Sequence, residues 1–107
     1  MDIQLKRGLL DVCVLTAIKN EDSYGYKIIK DMKPYIEMSE STLYTILKRL
    51  ELSEMLTVRS SEHNGRLRKY YRITEAGRVY LSQLITIYTA FAKGVDAVLE
   101  KGEKEHG

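Results

Sequence analysis

Between Ser39 and Glu51 lie the residues best suited to chemistry on an anionic, hydrogen-bonding partner. Leu43, Ile46, Leu47 and Leu50 recur at i, i+3, i+4 and i+7, so on a helix they form one apolar stripe. Ser41, Thr45 and Lys48 then point the opposite way, flanked by Thr42, Tyr44 and Arg49, with Ser39 placed to cap the first turn. Hydroxyls and cations on one side of an anchored helix are suited to bonding base edges and phosphates. A second group follows. Residues 56–80 carry six cations (Arg59, Arg66, Arg68, Lys69, Arg72, Arg78) against Glu62 and Glu75, a local +4 on a chain whose net charge is only +2. A basic patch on an otherwise slightly acidic chain implies an anionic partner touched at one edge.

Other chemistry is poorly supported. No carboxylate pair, histidine dyad, activated cysteine or phosphate-cradling loop can be assembled, so no enzymatic activity is expected. Cys13 sits in the apolar run Val12-Cys13-Val14-Leu15 and reads as a small buried hydrophobe. His63 and His106 lie far apart, no metal-ligand spacing occurs, and neither metal nor cofactor is expected. At 107 residues the chain forms one domain with a modest core, and its 44% apolar and 30% charged content matches a soluble globular protein. Without a bilayer-length apolar run or a signal-peptide layout, the expectation is a cytoplasmic protein without a membrane partner.

The elements that must position these groups follow from periodicity and punctuation. A first helix runs from about Gln4 to Lys19, and Leu9, Leu10, Val12, Cys13, Val14, Leu15 and Ile18 make it apolar on more than one face. So small a domain covers one such face, which leaves the other for a second subunit. Asp22 or Ser23 is available to cap a second helix, Tyr24 to Lys33, which Pro34 stops. A short link leads to Ser39 and the third helix, a helix-turn-helix arrangement. Leu56–Ser60 and Arg68–Ile73 are β-leaning, and Asn64-Gly65 between them is a strong hairpin turn. Arg66, Arg68 and Lys69 therefore sit at the tip and return strand of a wing, whereas Arg72 beside Tyr70 is open to pairing with an acid of the same domain. Thr74 caps a last helix, along which Leu81, Leu84, Tyr88, Phe91, Val95 and Val98 form a heptad seam. That helix is expected to run roughly 25 residues, or about 37 Å, and to need a partner; the charged tail, Glu100 to Gly107, is expected to fray. The fold class is mainly α with a small β-hairpin: a winged helix-turn-helix over residues 1–74, and a dimerisation helix with charged tail over residues 75–107.

Four segments resemble the PadR family of bacterial transcriptional regulators: Ser-Tyr-Gly-Tyr at 23–26, Ser-Thr-Leu-Tyr at 41–44, Leu-Lys-Arg-Leu-Glu at 47–51, and Gly-Arg-Leu-Arg-Lys-Tyr-Tyr-Arg-Ile-Thr-Glu-Ala-Gly at 65–77. The last is the most specific. The resemblance spans residues 5 to about 80, and the short remainder is similar to the subgroup ending in a single dimerising helix. It implies a homodimer on double-stranded DNA, usually a repressor, often released from its operator by a small molecule. It places Thr42, Tyr44, Thr45 and Lys48 in the major groove, and Arg66, Arg68 and Lys69 on phosphate or the minor groove. Two-fold symmetry would present two recognition helices about 34 Å apart to a pseudo-palindromic operator. Leu9, Val12, Leu84, Tyr88, Phe91 and Val95 would line the dimer interface and a cleft that a small hydrophobic or aromatic effector could enter. The tryptophan that lines this cleft in multidrug-binding members is missing here, and Tyr88 stands nearest its place. Ser41 and Thr45 replace a frequent glycine and proline, which adds hydrogen-bonding capacity. Where the family commonly has glycine after the recognition helix, this chain has Ser53-Glu54, and Glu54 at positive φ would cost about 1 kcal/mol. The alternative is a winged helix used for protein–protein contact; the low net charge favours it, and the intact wing cations oppose it.

Overall fold

Leu43, Ile46, Leu47 and Leu50 are all buried, and the chain closes its core around them. The computed structural model describes residues 3–106. Its elements are α1 (Ile3–Ala17), α2 (Gly25–Met32), α3 (Glu40–Leu52), β1 (Leu56–His63), β2 (Arg66–Ile73) and α4 (Glu75–His106). Onto the α3 stripe pack Val14, Leu15 and Ile18 of α1, Ile28 and Met32 of α2, and Leu56, Tyr71 and Ile73 at the root of the hairpin. Leu81 of α4 completes the cluster. Fully burying a leucine or isoleucine contributes roughly 1.5–3 kcal/mol, so this stripe holds α3 to the body while its other face stays in solvent.

The hairpin is longer than its β-leaning segments suggest. β1 and β2 are antiparallel from Leu56↔Ile73 to His63↔Arg66, which leaves only Asn64 and Gly65 as the loop. Both have positive φ, 50° and 78°, the conformation a two-residue turn needs to match strand twist. The ladder therefore continues through Ser61, Glu62 and Leu67, and the exposed tip projects the basic residues beyond the core.

The start of α2 differs from expectation. Neither Asp22 nor Ser23 caps it; Tyr24 occupies the N-cap position without a side-chain bond. Ser23 instead exchanges two backbone bonds with Tyr71, of 3.2 and 2.7 Å, as a short third rung beside β2. Asp22 turns its carboxylate to the wing. Backbone pairing and ion pairing at this site outcompete a cap worth about 1 kcal/mol.

Thr74 does cap α4: its Oγ1 accepts from the Gly77 amide at 2.9 Å and donates to the Glu54 carbonyl at 2.8 Å. Gly77 lies against the Met55 carbonyl, where a Cβ would overlap the oxygen. Glu54, just beyond α3, holds φ 63°, the positive value expected at that position. α4 then runs for 32 residues, roughly 48 Å at the usual rise, along the 63 Å long axis of a molecule 27 by 24 Å across. The expected fray of the tail is corrected: helix continues through His106, with Lys104–Glu100 and Lys101–Glu105 pairs at i, i+4 spacing. No helix among the described residues is long and apolar enough to cross a membrane.

Candidate nucleic-acid interface

The outer face of α3 carries an ordered cluster of hydroxyls. Ser39, with extended backbone at φ −72° and ψ 156°, accepts at Oγ from the Thr42 amide (3.2 Å) and donates to Thr42 Oγ1 (2.9 Å). Its Oγ also lies 3.3 Å from Ser41 Oγ, and Thr45 donates to the Ser41 carbonyl at 2.9 Å. Thr42 accepts from Ser39 and so keeps its own proton for an outside acceptor. Thr45 spends its proton inward and keeps its lone pairs for an outside donor. All four residues are exposed. Lys48 is 68% exposed, with Nζ 3.7 Å from a Glu51 oxygen; such an exposed pair holds the ammonium weakly. The Tyr44 ring crosses from α3 to the start of α2, where its hydroxyl occupies the space that a Cβ on residue 25 would need. Gly25 makes this contact feasible.

Arg49 is placed elsewhere. Its side chain is 30% exposed, and its guanidinium forks onto both oxygens of Asp11, at 3.2 and 2.5 Å. The structure therefore separates Arg49 from Lys48 and Thr45, its neighbours on the sequence-derived polar face, because a buried carboxylate binds it from behind. Asp11 also accepts from the Tyr80 hydroxyl at 2.6 Å. That hydroxyl is pushed up to about 12, first by burial and then by the bond to Asp11.

In the wing, Arg66 closes the turn opposite His63, and Arg66, Arg68 and Lys69 have no carboxylate partner among the described residues. The Arg68 guanidinium lies 4.0 Å over the ring of Tyr24. Tyr24 meets Tyr70 edge-on, with centroids 5.6 Å apart, and Arg59 covers Tyr70 at 4.6 Å. These stacked planes brace the return strand against the α2 start. Arg72 and Arg59 both reach Asp22, at 3.1 and 3.5 Å, so the pairing open to Arg72 is the one observed, and Asp22 offsets the cations at the wing root. Between wing and helices lies an open groove of about 820 Å³, with Tyr44 and Tyr26 on one wall and His63, Arg66, Arg68 and Lys69 on the other. Sequence reasoning missed Tyr24, Tyr26, Asp22, Asp11 and Tyr80 as parts of this surface and its support. The only sequence signal for Asp11 was an acid inside an apolar run.

A second, apolar groove of about 550 Å³ lies between α1 and α4, and it gathers all six of Leu9, Val12, Leu84, Tyr88, Phe91 and Val95. Gly8, Ile87, Ala92 and Asp96 complete its walls. Cys13 is half-buried beside this region, and burial pushes its thiol up, away from the reactive thiolate.

A polar, lysine-bearing helix beside a basic two-stranded wing defines a winged helix-turn-helix of the DNA-binding class. Comparison with known proteins narrows this. Residues 14–83 match the model of the Transcriptional regulator PadR-like family. The crystal structure of smu.1704 from Streptococcus mutans UA159 is 36% identical, with a TM-score of 0.81 over 88% of this chain and 89% of that one. A PadR family transcriptional regulator from Eggerthella lenta DSM 2243 is 30% identical, with a TM-score of 0.80 over 92% of this chain and 88% of its own. An uncharacterised protein of Lysinibacillus sphaericus is 34% identical over 99 residues, 88% of this chain and 91% of that protein. The chain belongs to the PadR-like family of transcriptional regulators.

Proposed function

We propose that the protein is a homodimeric, sequence-specific repressor that reads a pseudo-palindromic operator and is released from it by a small hydrophobic or aromatic effector. The observation that carries the DNA-reading part is the outer face of α3. There Ser41, Thr42, Thr45 and Lys48 stand exposed on a helix anchored by four buried side chains. In this reading Thr42, Thr45 and Lys48 meet base edges, while Ser39, Ser41 and Tyr44 meet phosphate. Arg66, Arg68 and Lys69 carry the wing to the neighbouring backbone or minor groove. Arg49 acts from inside.

Residues 1–74 form the DNA-binding unit and residues 75–107 the dimerisation helix, with α1 shared between them. The support for a dimer is the part of α4 beyond Leu81, where Tyr88 is 52% and Phe91 61% exposed beside the apolar groove. An apolar face of this length is rarely left open on a soluble monomer. The same groove, closed by a second copy, is the place for an effector, with Tyr88 and Phe91 as its aromatic surfaces. Repression follows the usual mode of the family that the motifs resemble, and the cytoplasm is the compartment where such a protein meets DNA.

The test is a titration of the purified protein with the intergenic DNA upstream of its own gene, against scrambled competitor at two salt concentrations. Tight binding that survives competitor, with a two-fold footprint, is the expected result. Equal loss on both DNAs at higher salt would reduce the surface to a non-specific basic wing. No binding at either salt would favour a winged helix used for protein contact.

A further inference from the structure

Asp11 is the one charged side chain fully buried among the described residues. On α1 it turns away from the groove face that Leu9 and Val12 line, toward α3 and α4. Its carboxylate accepts two bonds from Arg49 of α3 and one from Tyr80 of α4. Arg49 directly follows Lys48, and Tyr80 stands one helical turn before Leu84 of the groove. A single carboxylate thus ties the exposed polar helix to both helices that wall the groove.

The bond type matters. The hydrophobic effect is non-directional, whereas a planar guanidinium forked onto a carboxylate fixes distance and rotation together. A buried ion pair adds little net stability over apolar residues of similar volume, so stability alone does not account for placing one here. Position does. In a two-fold dimer joined through α1 and α4, the orientation of α3 on those helices sets the separation and tilt of the two reading helices. We propose that Asp11, Arg49 and Tyr80 are positioning residues that set the half-site spacing the dimer reads. This rests on the homodimeric DNA-binding reading.

The experiment uses the full chain and three variants: Arg49→Lys, which keeps the charge but loses the fork, Tyr80→Phe, which loses only the hydroxyl, and Asp11→Asn. Two measurements are made on each. In the first, duplexes carry the two footprint half-sites at separations changed one base pair at a time. The unsubstituted protein should favour one separation by about tenfold over its neighbours, and the variants by less than about threefold, with single half-site affinity and salt slope kept. In the second, nitroxides at Glu40→Cys in a Cys13→Ser background report the distance between the two α3 helices by pulsed electron resonance. One narrow distance is expected in the parent and a broadened one in the variants.

Folded variants that retain both the sharp spacing preference and the narrow distance overturn the proposal. Should Asp11→Asn fail to fold, Tyr80→Phe and Arg49→Lys decide alone. A distance that broadens in the variants of a protein that binds no DNA would sink the operator reading while leaving the positioning role standing. A monomeric parent would overturn the proposal outright.

Discussion

The outer face of α3 and the stretch of α4 beyond Leu81 are both open to solvent, and chemically they are opposites. On α3 the exposed positions are mostly hydroxyls and a lysine, already ordered by the Ser39 cap and backed by buried Leu43, Ile46, Leu47 and Leu50. On α4, Ile85, Ile87, Tyr88, Phe91, Val95, Val98 and Leu99 are all exposed, and Leu81 is the last residue of the helix to be fully buried. The first surface is ordered by hydrogen bonds within a single chain. On the second, each apolar side chain is 40–70% exposed and forgoes part of the roughly 1.5–3 kcal/mol that full burial supplies. Rigidity thus resides where bases would be read, and unmet apolar surface where a second copy would dock.

The difference can be broken most severely on α4. Phe91→Asp is expected to give a folded monomer, because the ring is 61% exposed in the single chain, and to weaken operator binding by about a hundredfold or more through loss of the second half-site. Analytical ultracentrifugation with a DNA titration checks both parts; a dimer of unchanged affinity would remove Phe91 from the interface.

On the other surface the expected losses are smaller and of two kinds. Lys48→Ala should cost the operator about 1–3 kcal/mol and relax base preference, whereas Arg66→Ala should weaken all DNA alike and lower the salt slope by about one. Binding isotherms on operator and scrambled DNA across salt separate the two. Identical effects would mean that helix and wing do not divide the work.

The joint between the surfaces has its own signature. Burial and the bond to Asp11 raise the Tyr80 hydroxyl from 10.0 to about 12, with Arg49 and Arg7 acting in the opposite sense. A group whose folded value lies above its unfolded one stabilises the fold fully below pH 10, and that contribution is lost as pH rises from about 10 to about 12. Denaturant midpoints should therefore fall over that window in the parent and fall less in Tyr80→Phe. Tyr71, also raised by burial, contributes the same slope to both proteins. Equal slopes would show that Tyr80 is not held in this way.

The smallest effect concerns the link out of α3. Glu54→Gly should relieve the strain of φ 63° and stabilise by up to about 1 kcal/mol, a few degrees in Tm, without changing DNA affinity. The bond from Thr74 survives because it is made to the backbone carbonyl. An unchanged or lower Tm would mean that the glutamate side chain contributes something the contacts do not reveal.

Local pattern made much of this legible. The α3 stripe, the Asn64-Gly65 turn, the Thr74 cap and the positive φ of Glu54 each depend on neighbours within a few residues, and each stands in the structure as read. Errors arose where two local rules competed. Asp22 and Ser23 have the chemistry of N-caps, but the hairpin returning some 50 residues later takes one for its arginines and the other for its ladder. Alternating glutamates and lysines near the C-terminus look like a solvated tail, yet at i, i+4 spacing they extend a helix.

By itself, then, the sequence determined the order of the elements, the face of α3 turned to the core, the wing and its cations, and an α4 too long for one domain to cover. These follow from periodicity, turn chemistry and composition, which act over a few residues at a time. Only the tertiary structure decided that Arg49 turns inward while Lys48, its immediate neighbour, turns outward. Asp11 and Tyr80 lie 38 positions before Arg49 and 31 after it, and nothing in local spacing indicates that folding will bring the Arg49 guanidinium and the Tyr80 hydroxyl to the Asp11 carboxylate.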